Sequence, residues 1–181
     1  MRKLAIAAAL ALASTAAFAQ DVKTDYDHNA NFAAIKTFSA KIATGWNNQI
    51  SEKRVLDEFT QALTEKGWKS VDANPDAVVL LHGATEKQKS LNTFYSGGYG
   101  GYGYRGFGMG GMGTATTTTS EYLVGTLVVD IYDAKTKQLM FRGTASDELS
   151  DKPEKNQKKL QKASDKMFKD FPPGSKDKDK K

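Results

Sequence analysis

Apolar and polar residues alternate along several short stretches of the chain, and this period of two predicts β-strands. The alternation is clearest from Glu121 to Tyr132. A tight turn at 133–137 follows it, and then a return strand at 139–145. A nearly continuous apolar run at 77–85 predicts a strand that is buried on both faces where it begins. Three shorter strands are predicted, at 22–27, 37–39 and 68–71.

Two other stretches repeat their apolar residues at helical spacing. The first helix is predicted to begin after Asn47 or Asn48, either of which can cap it, and to end before Gly67. The second is predicted to open with Pro153 in its first turn and to run to Phe171. Its stripe of methionine and aromatic residues is typical of a core-facing side.

The order of these elements predicts an α+β fold, because each helix separates sets of strands. We expect a mixed, mostly antiparallel sheet with both helices packed on one face. The strands that include Ala77 and Tyr122 should form a long central hairpin. A single domain is expected over 20–174, since about 160 residues can bury one core.

The first 19 residues have the order of a secretory signal peptide. Arg2 and Lys3 are followed by an apolar run at 4–13 and by the small-residue cleavage motif Ala17-Phe18-Ala19. A membrane-spanning helix needs about 20 apolar residues, and this run is too short. We therefore expect a signal peptide over 1–19 and export to the periplasm of a Gram-negative bacterium, or secretion.

Cysteine is absent from the chain. A bacterial lipoprotein carries a cysteine directly after its cleavage site, so we expect a protein that is not lipid-anchored. The formal net charge of +5 comes mostly from the first residues and from the tail at 175–181. We expect that Lys/Asp tail to be disordered, with at most weak peripheral contact with anionic lipid or wall polymer.

A glycine-rich segment at 95–119 holds ten of the 16 glycines. It contains a G-x-G-x-x-G pattern from Gly101 to Gly106, but a threonine run and a strand follow it instead of a helix. The dinucleotide fingerprint needs a helix N-terminus there, so we expect no nucleotide cofactor, and no other cofactor is indicated. The segment is predicted to be a flexible hairpin insertion.

Aromatic side chains in this segment leave two alternatives open, disorder and adhesion. Nucleic acid is not expected as a partner, because one arginine supplies little of the charge that binding needs. The adhesive alternative predicts contact with an unknown envelope protein or glycan. Its candidate contact residues are Tyr95, Tyr99, Tyr102, Tyr104, Arg105 and Phe107.

Motifs of catalysis or metal binding are hard to find in this sequence. The two histidines, His28 and His82, lie far apart, and His28 has Asp25 and Asp27 nearby in a turn. Such carboxylates are usually solvated, so no metal site and no catalytic residue is predicted. An enzyme that uses carboxylates near Asp25, Asp27 and Asp130 is kept as an alternative.

One charged pair is predicted from strand parity. Asp130 and Arg142 should lie together on the face of the hairpin that points away from its apolar side. We interpret them as a structural cross-strand ion pair, worth at most about 1 kcal/mol if it is exposed.

The segment GTLVVDIYDAKTKQLMFRGTA resembles a bacterial envelope family called domain of unknown function 4136. Further similar segments are VKTDYDHNANFAAIKTF, EKGWKSVDANPDAVV and KMFKDFPP. The resemblance implies an exported α+β protein of a family that is often lipid-anchored and has no established activity. It also implies glycine where Lys137 stands, which predicts a positive φ there. We therefore expect an exported cell-envelope protein, a non-enzymatic binding or scaffolding domain.

Overall fold

A computed structural model describes residues 20–46, 48–96 and 114–173. The predicted signal peptide and the Lys/Asp tail lie outside these residues. The helices are α1 (Gln49–Glu65) and α2 (Pro153–Met167), and a 3-10 helix spans Phe32–Ala34. The strands are β1 (Asp21–Tyr26), β2 (Thr37–Thr44), β3 (Lys69–Ser70), β4 (Ala77–Ser96), β5 (Thr114–Asp133) and β6 (Leu139–Glu148).

The six strands form one sheet in the order β1-β6-β5-β4-β2-β3. Neighbours from β1 to β4 run antiparallel, whereas β2 pairs in parallel with both β4 and β3. Parallel pairing needs a crossover, and α1 supplies it between β2 and the strands that follow. The predicted α+β fold with a mixed, mostly antiparallel sheet is confirmed, and β4 and β5 form the central hairpin of that sheet.

Both helices begin and end near the predicted residues. The Asn48 side chain accepts a hydrogen bond of 3.1 Å from the Ser51 amide and so caps α1. Gly67 follows the helix with φ of 90°, a conformation that favours glycine. The second helix ends at Met167, earlier than predicted, and Phe171 packs in the core beyond it.

One face of the sheet carries the core and both helices, as predicted. On the central strands Val79 lies opposite Ile131, and Ile131 lies opposite Phe141, all of them buried. Phe59 of α1 meets Phe168, the residue that caps α2, with ring centroids 5.7 Å apart. We call this the helix-covered face and the other side the open face.

The open face explains one departure from the sequence-based expectation. Val78 and Leu80 are half-buried, because the helices pack on the opposite side of β4. The beginning of β4 is therefore not buried on both faces, although its composition is apolar enough to be.

The central hairpin is longer than the sequence pattern indicates. Its ladder continues to the pair Ser96 and Thr114, so 95–96 and 114–119 of the glycine-rich segment belong to paired strands. A threonine run suits this conformation, since β-branched residues are enriched in strands. Residues 97–113 lie outside the described part of the chain. No helix within the described ranges has both the length and the apolar character to cross a membrane.

Candidate binding cleft

A cleft of about 510 Å³ opens where the first turns of α1 and α2 approach one end of the sheet. The side chains that line it are largely apolar and come from both helices, from the strands and from two connecting loops. They include Trp46, Ile50, Val55, Leu127, Leu149 and Leu160. Cavities that bind drug-sized ligands range from about 300 to 1,000 Å³ and are mostly apolar.

Trp46 forms one wall of the cleft because Gly83 leaves room for it. A Cβ atom on Gly83 would lie 2.0 Å from the indole ring, so any other residue would displace the tryptophan. The indole Nε1 donates a hydrogen bond of 3.2 Å to the carbonyl oxygen of Ala84. The glycine and this hydrogen bond together place a large aromatic face beside the cleft.

Leu149 forms another wall in a similar way. A Cβ atom on Gly125 would lie 2.8 Å from the Leu149 side chain, so glycine makes the close approach possible. The Asn156 side chain of α2 holds the loop by accepting from the Ser150 amide at 2.8 Å and donating to the Ser150 carbonyl at 2.7 Å. The wall is thus fixed from the strand side and from the helix side.

Two positively charged side chains lie at the rim of the cleft, and only one of them is in an ion pair. Lys159 donates to a carboxylate oxygen of Asp147 at 2.9 Å and to the Glu148 carbonyl oxygen at 2.5 Å. The carboxylate of Asp147 offsets the positive charge of Lys159. Arg54 also lines the cleft, is exposed, and forms no ion pair with any described residue. Ile50, at the mouth of the cleft, is 68% exposed.

Asp130 and Arg142 lie opposite each other on the open face, as strand parity predicts. The guanidinium donates from Nε and from Nη2 to the two carboxylate oxygens, each at 2.6 Å. The pair is exposed on one side only, since the Arg142 side chain is 51% exposed and the Asp130 side chain is 3% exposed. The hydrogen bonds to Asp130 and the negative charge of that carboxylate raise the pKa of Arg142 above its usual value.

His82 extends this charged group along the same face. Its Nε2 lies 3.8 Å from Asp130, and its Nδ1 shares a hydrogen bond of 3.3 Å with the Thr44 hydroxyl. A hydroxyl, an imidazole and a carboxylate are the groups of a nucleophilic relay. Here, however, both carboxylate oxygens are taken up by Arg142, and the group does not line the cleft.

The other residues considered from the sequence lie on β1 and in the turn that follows it. Asp25 lies opposite Arg142 on the neighbouring strand, while the carboxylate of Asp27 accepts from the Asn29 amide at 2.8 Å in a turn. His28 packs against Tyr26, with ring centroids 4.5 Å apart. No group of three potential metal ligands occurs in the part of the chain that the structure covers.

The proposed partner contacts fall mainly outside the described residues. Tyr95 belongs to β4, and Tyr99, Tyr102, Tyr104, Arg105 and Phe107 all lie in 97–113. Their role in partner contact stays a prediction. The cleft itself was not predicted, although Gly83 and Gly125 within apolar strands are a sequence signal of close approach by other groups.

The family model described as domain of unknown function (DUF4136) matches residues 22–173. The chain belongs to this family. No curated protein matches this DUF4136 chain at a significant level. Family membership agrees with the resemblance noted in the sequence and brings no activity with it.

Among solved structures, this DUF4136 chain is similar to a PDZ domain protein from Parabacteroides distasonis, with 16% identity and a TM-score of 0.55. The match covers 86% of this chain but only 37% of that protein, so it shows a shared fold over part of a longer chain. A PelC dodecamer from Paraburkholderia phytofirmans matches with 13% identity and a TM-score of 0.46, over 80% of this chain and 94% of that one. A putative neuraminyllactose-binding hemagglutinin homolog from Helicobacter pylori matches with 11% identity and a TM-score of 0.42, over 80% and 90%.

Proposed function

We propose that this DUF4136 protein is a binding domain of the bacterial cell envelope, with the cleft between α1, α2 and the sheet as its ligand site. The observation that carries the proposal is the cleft's lining. Large apolar side chains, Trp46 and Leu160 among them, remain accessible in a cavity of about 510 Å³. Leaving such surface in water costs roughly 25 cal/mol per Å², so a ligand that covers it gains that free energy.

A binding role is favoured over the alternative of a carboxylate-based enzyme. A general base needs a free lone pair within reach of the substrate. The oxygens of Asp130 are both engaged by Arg142, and neither residue lines the cleft. Asp27 accepts a hydrogen bond from the Asn29 amide of its own turn, and Asp25 accepts one from the Tyr26 amide, so backbone amides engage both carboxylates.

Saturable binding of the neutral apolar dye N-phenyl-1-naphthylamine tests the cleft. We expect the dye to bind and to gain fluorescence, and Ser51→Phe, which fills the cleft from α1, to abolish that gain. Lys53→Phe adds the same side chain nearby, outside the cleft lining, and should leave binding intact. Equal binding by both variants, or no saturable binding by the parent chain, would refute the cleft as the ligand site.

The envelope location is a separate part of the proposal. The basic, apolar and small-residue order over 1–19 supports it, as does the resemblance to an envelope family. Expression of the full chain in a Gram-negative host, followed by osmotic shock and N-terminal sequencing, should recover a protein that begins at Gln20. Recovery from the cytoplasm with Met1 still attached would contradict this location.

A further inference from the structure

Two hollows border helix α1, and their linings differ in chemistry. The second, of about 550 Å³, shares Arg54 with the cleft and is otherwise bordered mainly by charged and amide side chains such as Asp57 and Lys158. The cleft described above combines an apolar floor with a charged rim. This combination suits a ligand with an apolar body and one polar end.

The charge of the rim indicates the sign of that polar end. The positive charge of Lys159 is offset by Asp147 at 2.9 Å, whereas Arg54 has no ion-pair partner among the described residues. The guanidinium of Arg54 therefore remains free to donate hydrogen bonds to an anion. A planar guanidinium is well suited to a carboxylate, which it can bind through two parallel hydrogen bonds.

The helix ends add to the same potential. Both α1 and α2 begin at the rim, where Ile50 and Pro153 line the cleft. Each helix N-terminus carries a partial positive charge of roughly half a unit. These dipoles act in the same direction as Arg54, but Glu52 and Glu154 in the first turns of the two helices offset them, so the sign of the head group rests on Arg54.

The apolar part of the ligand is limited by the size and composition of the floor. The apolar lining combines the Trp46 ring with aliphatic side chains such as Leu127 and Leu160. Asp147, which is paired with Lys159, is the only carboxylate among the described residues that line the cleft. A cavity of about 510 Å³ lies in the range for one drug-sized ligand. A single short acyl chain fits that range, whereas a two-chain lipid would exceed it.

We infer that the cleft binds a single-chain amphiphile with an anionic head, its acyl chain against Trp46 and Leu160 and its head at Arg54. This inference rests on the proposed binding function of the cleft and adds the sign of the head group. The inference predicts that two ligands with the same apolar chain bind the cleft with different affinities when only one of them has a charged head group.

Decanoate and 1-decanol test the inference, since they share a chain length and differ in the charge of the head. We expect decanoate to bind about tenfold more tightly, which is the size of one charge-assisted hydrogen-bond contact. Binding would be followed by calorimetry and by the fluorescence of Trp46, and Trp46→Phe would confirm the origin of the optical signal. Added salt should weaken decanoate binding alone, because it screens the charge.

Arg54→Gln should remove the preference for decanoate and leave 1-decanol binding unchanged. Lys69→Gln is the control, because it also removes one exposed positive charge that has no ion-pair partner among the described residues, and Lys69 lines neither hollow. Equal affinities in the parent chain, or a preference that survives Arg54→Gln, would overturn the anionic head and leave cleft binding in place. Failure of both ligands to bind would overturn the cleft as well.

Discussion

Lys137 is held at a backbone angle that favours glycine, with φ of 63°. It closes the turn between β5 and β6, where its amide donates a hydrogen bond of 2.9 Å to the Asp133 carbonyl. A non-glycine residue in this region costs about 1 kcal/mol. The positive φ inferred from the family resemblance is therefore confirmed.

We expect Lys137→Gly to raise the free energy of unfolding by about 0.5–1 kcal/mol, because it relieves this cost. Urea denaturation would measure the change. Lys135→Gly, in the same turn but without a positive φ, should destabilise the protein by enlarging the freedom of the unfolded chain. A loss of stability in Lys137→Gly would mean that the lysine side chain holds the turn.

Arg142 neutralises a carboxylate that is almost wholly buried. We expect Arg142→Met to lower the free energy of unfolding by about 1–3 kcal/mol, because Asp130 would lose its two donors and remain desolvated. Combining it with Asp130→Asn should recover part of the loss, as a double-mutant cycle in urea would show.

The exposed pair Lys53–Asp57 is a control for this prediction. Its atoms approach to 2.6 Å, as close as those of the Asp130–Arg142 pair, but both of its side chains are exposed, at 72% and 60%. Lys53→Met should therefore change stability by less than about 0.5 kcal/mol. If Arg142→Met were equally mild, water would have to reach Asp130 in solution.

Glu58 lies between the helices, and burial raises its pKa above the usual value. The nearby Ser164 hydroxyl lowers the pKa in part, while the charges of Asp165 and Glu65 raise it further. The folded state thus holds this proton more tightly than the unfolded state does. Ionisation of Glu58 therefore costs stability as the pH rises from the unfolded value through the folded one.

We expect Glu58→Gln to stabilise the protein slightly at neutral pH, within about 0.5 kcal/mol for this partly solvated site. The gain should disappear below the ordinary glutamate pKa, where both states bind the proton. Melting curves from acid to neutral pH would follow the difference. A gain that is larger at low pH would show that the sign of the pKa shift is opposite.

At the scale of elements, helix α2 packs closely against the sheet at Gly143 of β6, where the strand residue has no side chain. A Cβ atom on Gly143 would lie 2.2 Å from the sulfur of Met167. Gly143→Ala should therefore cost about 1–3 kcal/mol, the usual penalty of overpacking a core. In a Met167→Ala background the same change should cost far less, and additive losses would show that the two residues do not compete for space.

Predictions from the sequence succeeded where one local pattern determines one element. Alternation from Glu121 to Tyr132 placed Asp130 and Arg142 on one face, and Asn48 and Gly67 marked the ends of α1. The extent of the hairpin was harder to predict, because the threonine run from Thr114 has β-propensity but no apolar alternation.

The cleft and the burial of Asp130 depend on contacts between distant parts of the chain. Trp46 reaches Gly83 from the connection between β2 and α1, and Leu149 reaches Gly125 from the loop before α2. The periodicity of apolar residues within one stretch carries no information about contacts with residues that are distant in the sequence. It predicts the side of a strand on which a residue lies, but not what covers that side.

At the scale of the whole molecule, β4 and β5 continue beyond the body of the sheet. The neighbour β2 leaves β4 at His82, and β6 leaves β5 at Val124, so the remaining ladder up to Ser96 and Thr114 is a two-stranded ribbon. Isolated two-stranded ribbons are marginally stable in water. None of the core residues identified in the described chain lies in this ribbon.

We expect replacement of residues 97–113 by Asn-Gly to leave the melting temperature of the body unchanged or to raise it by up to about 4 °C. The body should not change because its buried residues lie elsewhere, and a rise would reflect the smaller entropy cost of closing a shorter loop. Asn-Gly suits the turn, since Ser96 and Thr114 lie directly opposite each other.

A Gly/Ser replacement of equal length separates the effect of composition from that of loop length. It should leave the melting temperature at the parent value, because the closure entropy is then the same. A fall of more than about 5 °C in both variants would mean that 97–113 packs against the body, in which case its tyrosines would be part of the core rather than candidates for partner contact. Unchanged stability in both would leave those side chains available for a partner and dispensable for the fold.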